Sequence, residues 1–269
     1  MLWHVLDTAE GSPPLPLNLA EVMALYFSCS LLKQVEHTVF HNAMDSLFSK
    51  IRAMLPVETA DFLDATGRSL HVGFMPRKRS NDIGPVIDSI NTAVSQKSRV
   101  RIHYYTISRK RTTTREVAPY NVFFHNGTFY LIGHCFMRNS VRTFAIDRIQ
   151  SVTLTGEKFT IPLDFDIKSY TGGSFGVFQG PPVRVRIRFA PAVAGYISEK
   201  QWHPSQRITP GEGGAVYFEA TVAGTREIKF WVLQWGAQAK VLQPASLQKE
   251  IEDEIRNMQT LYTDKGHGQ

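Results

Sequence analysis

Two residue patterns in this chain carry catalytic or metal-binding spacings, and both fail on context. Gly172-Gly173-Ser174-Phe175-Gly176 has the letters of a nucleophile elbow, which sets a serine on a strained turn between a strand and a helix. Val177-Phe178-Gln179-Gly180-Pro181-Pro182 follows. That run does not build a helix, so the segment reads as a flexible linker. His37 and His41 stand four apart on an expected helix, the spacing of a metal pair. Thr38 occupies the position where a zinc peptidase needs glutamate, and no third ligand is evident. The two histidines read as solvated surface residues. No phosphate-cradling Gly-rich loop, paired-carboxylate site or Cys–His dyad occurs. The expectation is a non-enzyme with no cofactor and no metal. A weaker reading keeps Ser174 as the nucleophile of a hydrolase.

The remaining chemistry is cationic. Between Ser89 and Arg115 there is no acid, while Lys97, Arg99, Arg101, Arg109, Lys110, Arg111 and Arg115 are all present. Such a ribbon raises the local potential for phosphates. Arg142 and Arg148 follow; arginine's planar fork grips a phosphate with two parallel hydrogen bonds, where lysine acts as a point charge. Six apart, they share a face if one regular strand carries both, and a bend near Asp147 is the alternative way to bring them together. The tyrosines and Phe129 offer stacking faces for bases. Arg109 and Arg111 read as a solvated loop face. In a later segment Arg184, Arg186 and Arg188 alternate with Val185 and Ile187. This second ribbon reads as the solvated side of a half-buried strand, with a phosphate track or a dimer contact as alternatives.

The elements that must hold these residues follow from periodicity. Asn18 and Glu21 form a capping box at a helix start. An apolar stripe from Val39 to Leu55, stopped by Pro56, makes a second helix over 38–55. A short strand is expected at 70–74 and a third helix over 84–97. After Lys97 the period becomes two, and strands are expected near 99–104, 115–124, 128–135, 141–149 and 151–155, with Asn126-Gly127 as a hairpin turn. Five short strands suggest a closed or half-closed barrel. Residues 162–182, rich in Gly and Pro, read as an interdomain linker. The last block reads β-α-β-β-α-β-α, with Thr225 capping one helix, Gly236 stopping it, and Pro244 at the first position of the final helix. The expected organisation is a helical connector over 1–97, a barrel over 98–161, the linker, and a ferredoxin-like domain over 183–262. The fold class is α+β.

Composition agrees with a soluble globular protein of about two domains: 269 residues, 43% hydrophobic, 20% charged. Lys+Arg number 30 against Asp+Glu 24, a net +6 that leans towards a polyanionic partner. No apolar run reaches the ~18 residues of a membrane span, and nothing resembles a signal peptide. The two cysteines, Cys29 and Cys135, have no metal-ligand spacing. A cytoplasmic protein with no membrane partner is the default expectation.

Four stretches of the barrel segment resemble the WYL domain: Ile102-His103-Tyr104-Tyr105-Thr106, Arg115-Glu116-Val117-Ala118-Pro119-Tyr120, Phe129-Tyr130-Leu131-Ile132-Gly133-His134, and Arg142-Thr143-Phe144-Ala145-Ile146-Asp147-Arg148-Ile149. Phe129-Tyr130-Leu131 stands where the family has Trp-Tyr-Leu. Trp202-His203-Pro204-Ser205-Gln206 and the stretch 236–244 resemble the family's C-terminal extension, and 16–21 resembles the helical segment before the barrel. The resemblance implies an SH3- or Sm-like barrel followed by the extension, in a bacterial transcriptional regulator whose usual order begins with a winged helix-turn-helix. With the connector starting at Asn18, it implies a fragment lacking that reader, so specific duplex binding would require the absent N-terminal domain. It further implies an effector site for single-stranded DNA, RNA or a nucleotide, built from Tyr104, Thr106, Arg115, Tyr130, His134, Arg142 and Arg148, and a homodimer. The alternative is a nucleic-acid-binding accessory module that positions substrate for a nuclease or helicase.

Overall fold

The computed structural model describes residues 18–32, 39–55, 57, 61 and 83–263. The strand expected at 70–74 and His37 lie outside them. The chain divides into two units that meet in sequence between Ile161 and Pro162, each with its own core.

In the first unit α1 (Leu19–Leu32) starts on the expected capping box. The Asn18 amide donates to Glu21 Oε2 at 2.7 Å, and the Glu21 amide donates back to Asn18 Oδ1 at 3.0 Å. α2 (Val39–Met54) pairs with it, Tyr26 meeting Phe48 edge-on at 5.7 Å. α3 (Gly84–Ser95), with Pro85 in its first turn, sends Ile87, Ile90 and Ala93 into the core beneath a five-stranded antiparallel sheet. The strands are β1 (Ser98–Thr106), β2 (Arg111–His125), β3 (Thr128–Cys135), β4 (Ser140–Ala145) and β5 (Ile149–Lys158), in the order β4-β3-β2-β1-β5. A single 3-10 turn, Ile146–Arg148, joins the two edge strands, so the sheet curls into a half-closed barrel. The expected strand over 141–149 is therefore two strands and a turn. Ile146 stays fully buried through that turn, which is why an apolar pattern alone runs straight across it.

Period-two alternation decides which side chains face the barrel interior. On β1 these are Ser98, Val100, Ile102 and Tyr104; on β3, Phe129, Leu131 and Cys135; on β4, Phe144. Arg99 and Arg101 fall on the opposite face of β1. There Arg99 is bound by Glu116 at 3.0 Å and Glu157 at 2.6 Å. The acid-free ribbon of the sequence is thus divided, and part of it meets carboxylates brought from other strands.

The second unit contains β6 (Pro182–Phe189), α5 (Pro191–Ser198), β7 (Arg207–Pro210), β8 (Val216–Ala223), α6 (Arg226–Leu233), β9 (Ala239–Gln243) and α7 (Ala245–Thr263). Its sheet order is β7-β8-β6-β9, all neighbours antiparallel, which is the ferredoxin-like arrangement. Ile197, Ile228, Trp231, Val232 and Leu247 from the three helices pack on Val185, Ile187, Phe189, Phe218, Ala220 and Val222 of one sheet face. Two local expectations change. Thr225 makes no side-chain cap; its hydroxyl donates to Glu250 Oε1 at 2.7 Å and ties α6 to α7. Pro244 precedes α7 rather than opening it, its carbonyl accepting from the Gln248 amide.

The segment 162–182, read from sequence as a linker, carries α4 (Ile167–Gly172), capped by Asp166, whose carboxylate accepts from the Ser169 amide. That bond holds the Asp166 pKa below the usual carboxylate value. Phe175 then packs against the second core, stacked parallel to His203 and tilted on Trp231. Glu227 accepts from the Val177 amide at 2.7 Å and the Phe178 amide at 3.2 Å. A Cβ at Gly176 would meet that carboxylate, so Glu227 would have to shift and its bonds to the two amides would loosen. Ser174 follows a helix rather than a strand, is buried, and accepts from Gln179 Nε2 at 2.6 Å. The motif staples a strap and lacks the geometry of a nucleophile elbow.

Candidate ligand cavity at the barrel mouth

The inner faces of β1, β2 and β4 end together at one mouth of the barrel. Cross-strand pairing puts Tyr104 opposite Thr113 and Ile102 opposite Arg115, while Arg142 lies opposite Gly133. By alternation Thr106 follows Tyr104, Arg115 follows Thr113, and Ser140 and Arg142 precede Phe144 on the same side. The turns between β1 and β2 and between β3 and β4 add Ser108, Arg109 and Arg138. Both turns are tightened by a left-handed residue, Lys110 and Asn139. The result is an open cavity of about 350 Å³ lined by Thr106, Ser108, Arg109, Arg115, Arg138 and Arg142. That volume sits at the low end of the ~300–1,000 Å³ usual for small-ligand sites. No carboxylate lines it.

Two of the arginines are held the same way. Arg115 Nε donates to Thr113 Oγ1 at 3.1 Å, and Arg142 Nε donates to Ser140 Oγ at 3.1 Å. In each case a hydroxyl two residues earlier, on the same strand face, takes the inner nitrogen. The outer nitrogens, which form arginine's bidentate edge, project beyond it. Arg115 Nη2 also reaches Thr106 Oγ1 at 3.5 Å, and its guanidinium lies 5.5 Å from the Tyr104 ring and 5.7 Å from the Phe144 ring. Those two rings meet edge-on at 5.2 Å. An aromatic floor thus carries a fixed cation, with three further cations around the rim.

The seven residues expected at a site separate clearly. Thr106, Arg115 and Arg142 line the cavity. Tyr104 is core, buried beneath Arg115. Tyr130 and His134 share the face of β3 opposite Leu131 and Cys135, so they point away from the barrel interior. Tyr130 stacks on Phe123 at 5.4 Å, and His134 meets Phe136 edge-on at 5.1 Å. Arg148 sits in the 3-10 turn, half-buried, its Nε without a hydrogen-bond partner. It does not share a strand face with Arg142, because the strand ends at Ala145. Arg138, a turn residue with no periodic signal, and Arg109, expected on a solvated face, also line the cavity. Among the described residues no cluster of His, Cys, Asp and Glu is arranged to hold a metal, and no helix is long and apolar enough to cross a membrane.

Family models place a WYL domain at residues 85–154 and a WCX domain at 181–259. The chain therefore carries a WYL domain followed by a WCX domain. A curated relative is YobV of Bacillus subtilis, described as an uncharacterized HTH-type transcriptional regulator; it is 20% identical over 91% of this chain and 77% of its own length. Protein PafB of Mycobacterium leprae is 27% identical over 93% of this chain and 73% of its own length. Among solved structures, proteasome accessory factor B/C of Arthrobacter aurescens aligns over 94% of this chain at 20% identity, TM-score 0.35; the chain spans 37% of that structure's length. A CRISPR Cas-related protein aligns over 93% of this chain and 88% of its own at 11% identity, TM-score 0.51, a likeness of fold alone. In this WYL barrel the cavity lies within the matched segment, and β6 to α7 form the WCX unit.

Proposed function

We propose that the chain is the effector-sensing, non-catalytic part of a WYL-type transcriptional regulator, and that the barrel-mouth cavity takes a phosphate-bearing effector: a short single-stranded DNA or RNA, or a nucleotide. The observation that carries this reading is the set of four arginines with no carboxylate around one open cavity. Concentrating like charge at a half-apolar site is costly unless an anion neutralises it. The regulator reading draws on the WYL-domain match and on the description of YobV as an HTH-type transcriptional regulator. Effector binding would shift a conformational equilibrium, in a dimer, that controls duplex binding by a winged-helix domain.

The test is fluorescence anisotropy with a panel of labelled short single-stranded DNA, RNA and cyclic dinucleotides, titrated with the whole chain at several salt concentrations. Saturable, salt-sensitive binding of one class, weakened by Arg142→Ala, is expected. Uniformly absent binding across the panel, with a folded chain, would overturn the reading. Light scattering at high micromolar concentration tests the dimer; a monomer there counts against it.

A further inference from the structure

The cationic strand β6 finds no use in the barrel cavity, yet the WCX sheet arranges it in a specific way. One sheet face is covered by α5, α6 and α7. The other carries the alternate residues. Cross-strand pairing puts Arg207, Glu219 and Arg186 side by side across β7, β8 and β6. The neighbouring row runs Thr209, Tyr217, Arg188 and Lys240 across β7, β8, β6 and β9. Arg184 lies opposite Thr221 in the row beyond. Five cations therefore share this face with one carboxylate.

Glu219 is already engaged twice, with Arg184 at 3.0 Å and Arg186 at 3.2 Å. Arg186 also lies over the Tyr217 ring at 4.8 Å. Arg188 and Lys240 are directly opposite each other, and no acid stands in their row. Like charges directly opposite across a ladder destabilise a sheet. A solvated face needs polar residues, but it does not need an uncompensated like-charge pair beside a tyrosine. Along β6 the three arginines are spaced by two residues, ~6.6 Å. That repeat is comparable to the phosphate spacing of an extended single strand. Arg186 already lies over the Tyr217 ring, so the pair offers a base the outer side of a guanidinium–ring stack, which an acidic peptide would leave unused.

We propose that this open face of the WCX sheet is a second nucleic-acid-binding surface, which takes the phosphodiester backbone of an extended single strand. Arg188, Arg207 and Lys240 make the primary phosphate contacts. Glu219 limits affinity by holding Arg184 and Arg186. The inference stands apart from the barrel-cavity reading, since the two sites share no residue.

The experiment uses the full chain and a fluorescein-labelled oligothymidylate of about fifteen nucleotides, long enough for a groove-scale site. In Arg188→Ala, Arg207→Ala and Lys240→Ala the slope of log K against log[salt] should each fall in magnitude by roughly 0.7, and by about 2 in the triple variant. Glu219→Gln is the sharper arm, because it should tighten binding severalfold and steepen the slope, a gain that damage to the fold does not produce. Wild-type affinity and slope in the triple variant would overturn the inference. So would a Glu219→Gln chain no tighter than wild type. A polyglutamate peptide bound as tightly, with the same sensitivity to the variants, would overturn the choice of a nucleic acid. Arg142→Ala is run in parallel. Loss of binding there with the triple variant unaffected defeats the sheet surface and leaves the cavity; the reverse result defeats the cavity as the site for this oligonucleotide and leaves the sheet surface.

Discussion

Arg142 and Arg115 are the residues on which the cavity reading turns, because each is oriented by a hydroxyl before any ligand arrives. Prepositioning removes part of the ordering cost that a long side chain otherwise incurs on binding. Arg142→Ala is expected to weaken binding of a short single-stranded oligonucleotide by about 1.5–3 kcal/mol, the range for charge-assisted hydrogen bonds, and to lower the salt slope by roughly 0.7. Arg142→Lys should recover only part of the loss, since a point charge does not reproduce the planar fork. Anisotropy titrations at several salt concentrations, with thermal melting as the check on folding, read both effects. Tyr130 gives the opposite expectation. Its ring lies on the outer face of β3, stacked on Phe123. Tyr130→Leu should therefore lower the melting temperature slightly and leave oligonucleotide affinity and salt slope unchanged; a loss of affinity would mean the ligand also contacts the outer face.

At the scale of elements, the barrel shows which signals a sequence carries openly. The alternation after Lys97 marks the strands, but the seven site residues come from the family resemblance and mix both faces of β3, so the sequence does not single out Thr106, Arg115 and Arg142 as the three that line one cavity. Turns are different. Phe144 and Ile146 carry the period-two apolar rhythm into the 3-10 turn, which hides the end of β4 at Ala145. Arg138 and Arg109 reach the cavity only because two tight turns fold back to the mouth, and no periodicity encodes that return. Tyr104 shows the converse: its type suits a ligand, but its inward position and its contact with Phe144 make it core. The strap at 173–179 was hidden for a third reason. Glycine-rich composition indicates freedom of the chain, while Phe175 and Glu227 fix it through partners far along the sequence. Gly133 carries the element-scale prediction. A methyl group there would run into the carbonyl oxygen of Ala118 and come within 2.8 Å of Val117 Cγ1. Backbone cannot give way as a flexible side chain can, so Gly133→Ala should destabilise the barrel by about 1–3 kcal/mol, the usual cost of overpacking. Chemical denaturation reads it; an unchanged midpoint would show that β2 and β3 can separate without penalty.

Among the described residues there are two hydrophobic cores, one built on α3 and the barrel strands, the other on the WCX sheet and its helices. A buried titratable group in the second core makes its stability depend on pH in a definite direction. His203 is almost fully buried, with Phe175 stacked parallel to it. The Ser205 amide donates to its Nδ1 at 3.2 Å, which makes that nitrogen an acceptor and leaves the proton on Nε2, facing the Gly173 carbonyl oxygen at 3.3 Å. Protonating Nδ1 would remove the acceptor and bury a charge. Burial accordingly pushes the His203 pKa below the ordinary histidine value, with the bond to Gly173 opposing in part. The unfolded chain then binds the proton before the folded one does. Stability is fully present above the unfolded value, ~6.5, and is lost as pH falls through it towards the folded pKa. In His203→Phe the ring volume is kept while the titration and both hydrogen bonds are gone. The variant should melt below wild type at about pH 7.5, and the gap should narrow as pH falls to about 5, because only the wild type loses this contribution. Calorimetry of residues 162–269, which contain the whole second core, isolates the effect. A gap that stays constant or widens on acidification would show that His203 is not held neutral, and that the strap is anchored by Phe175 and Glu227 without it.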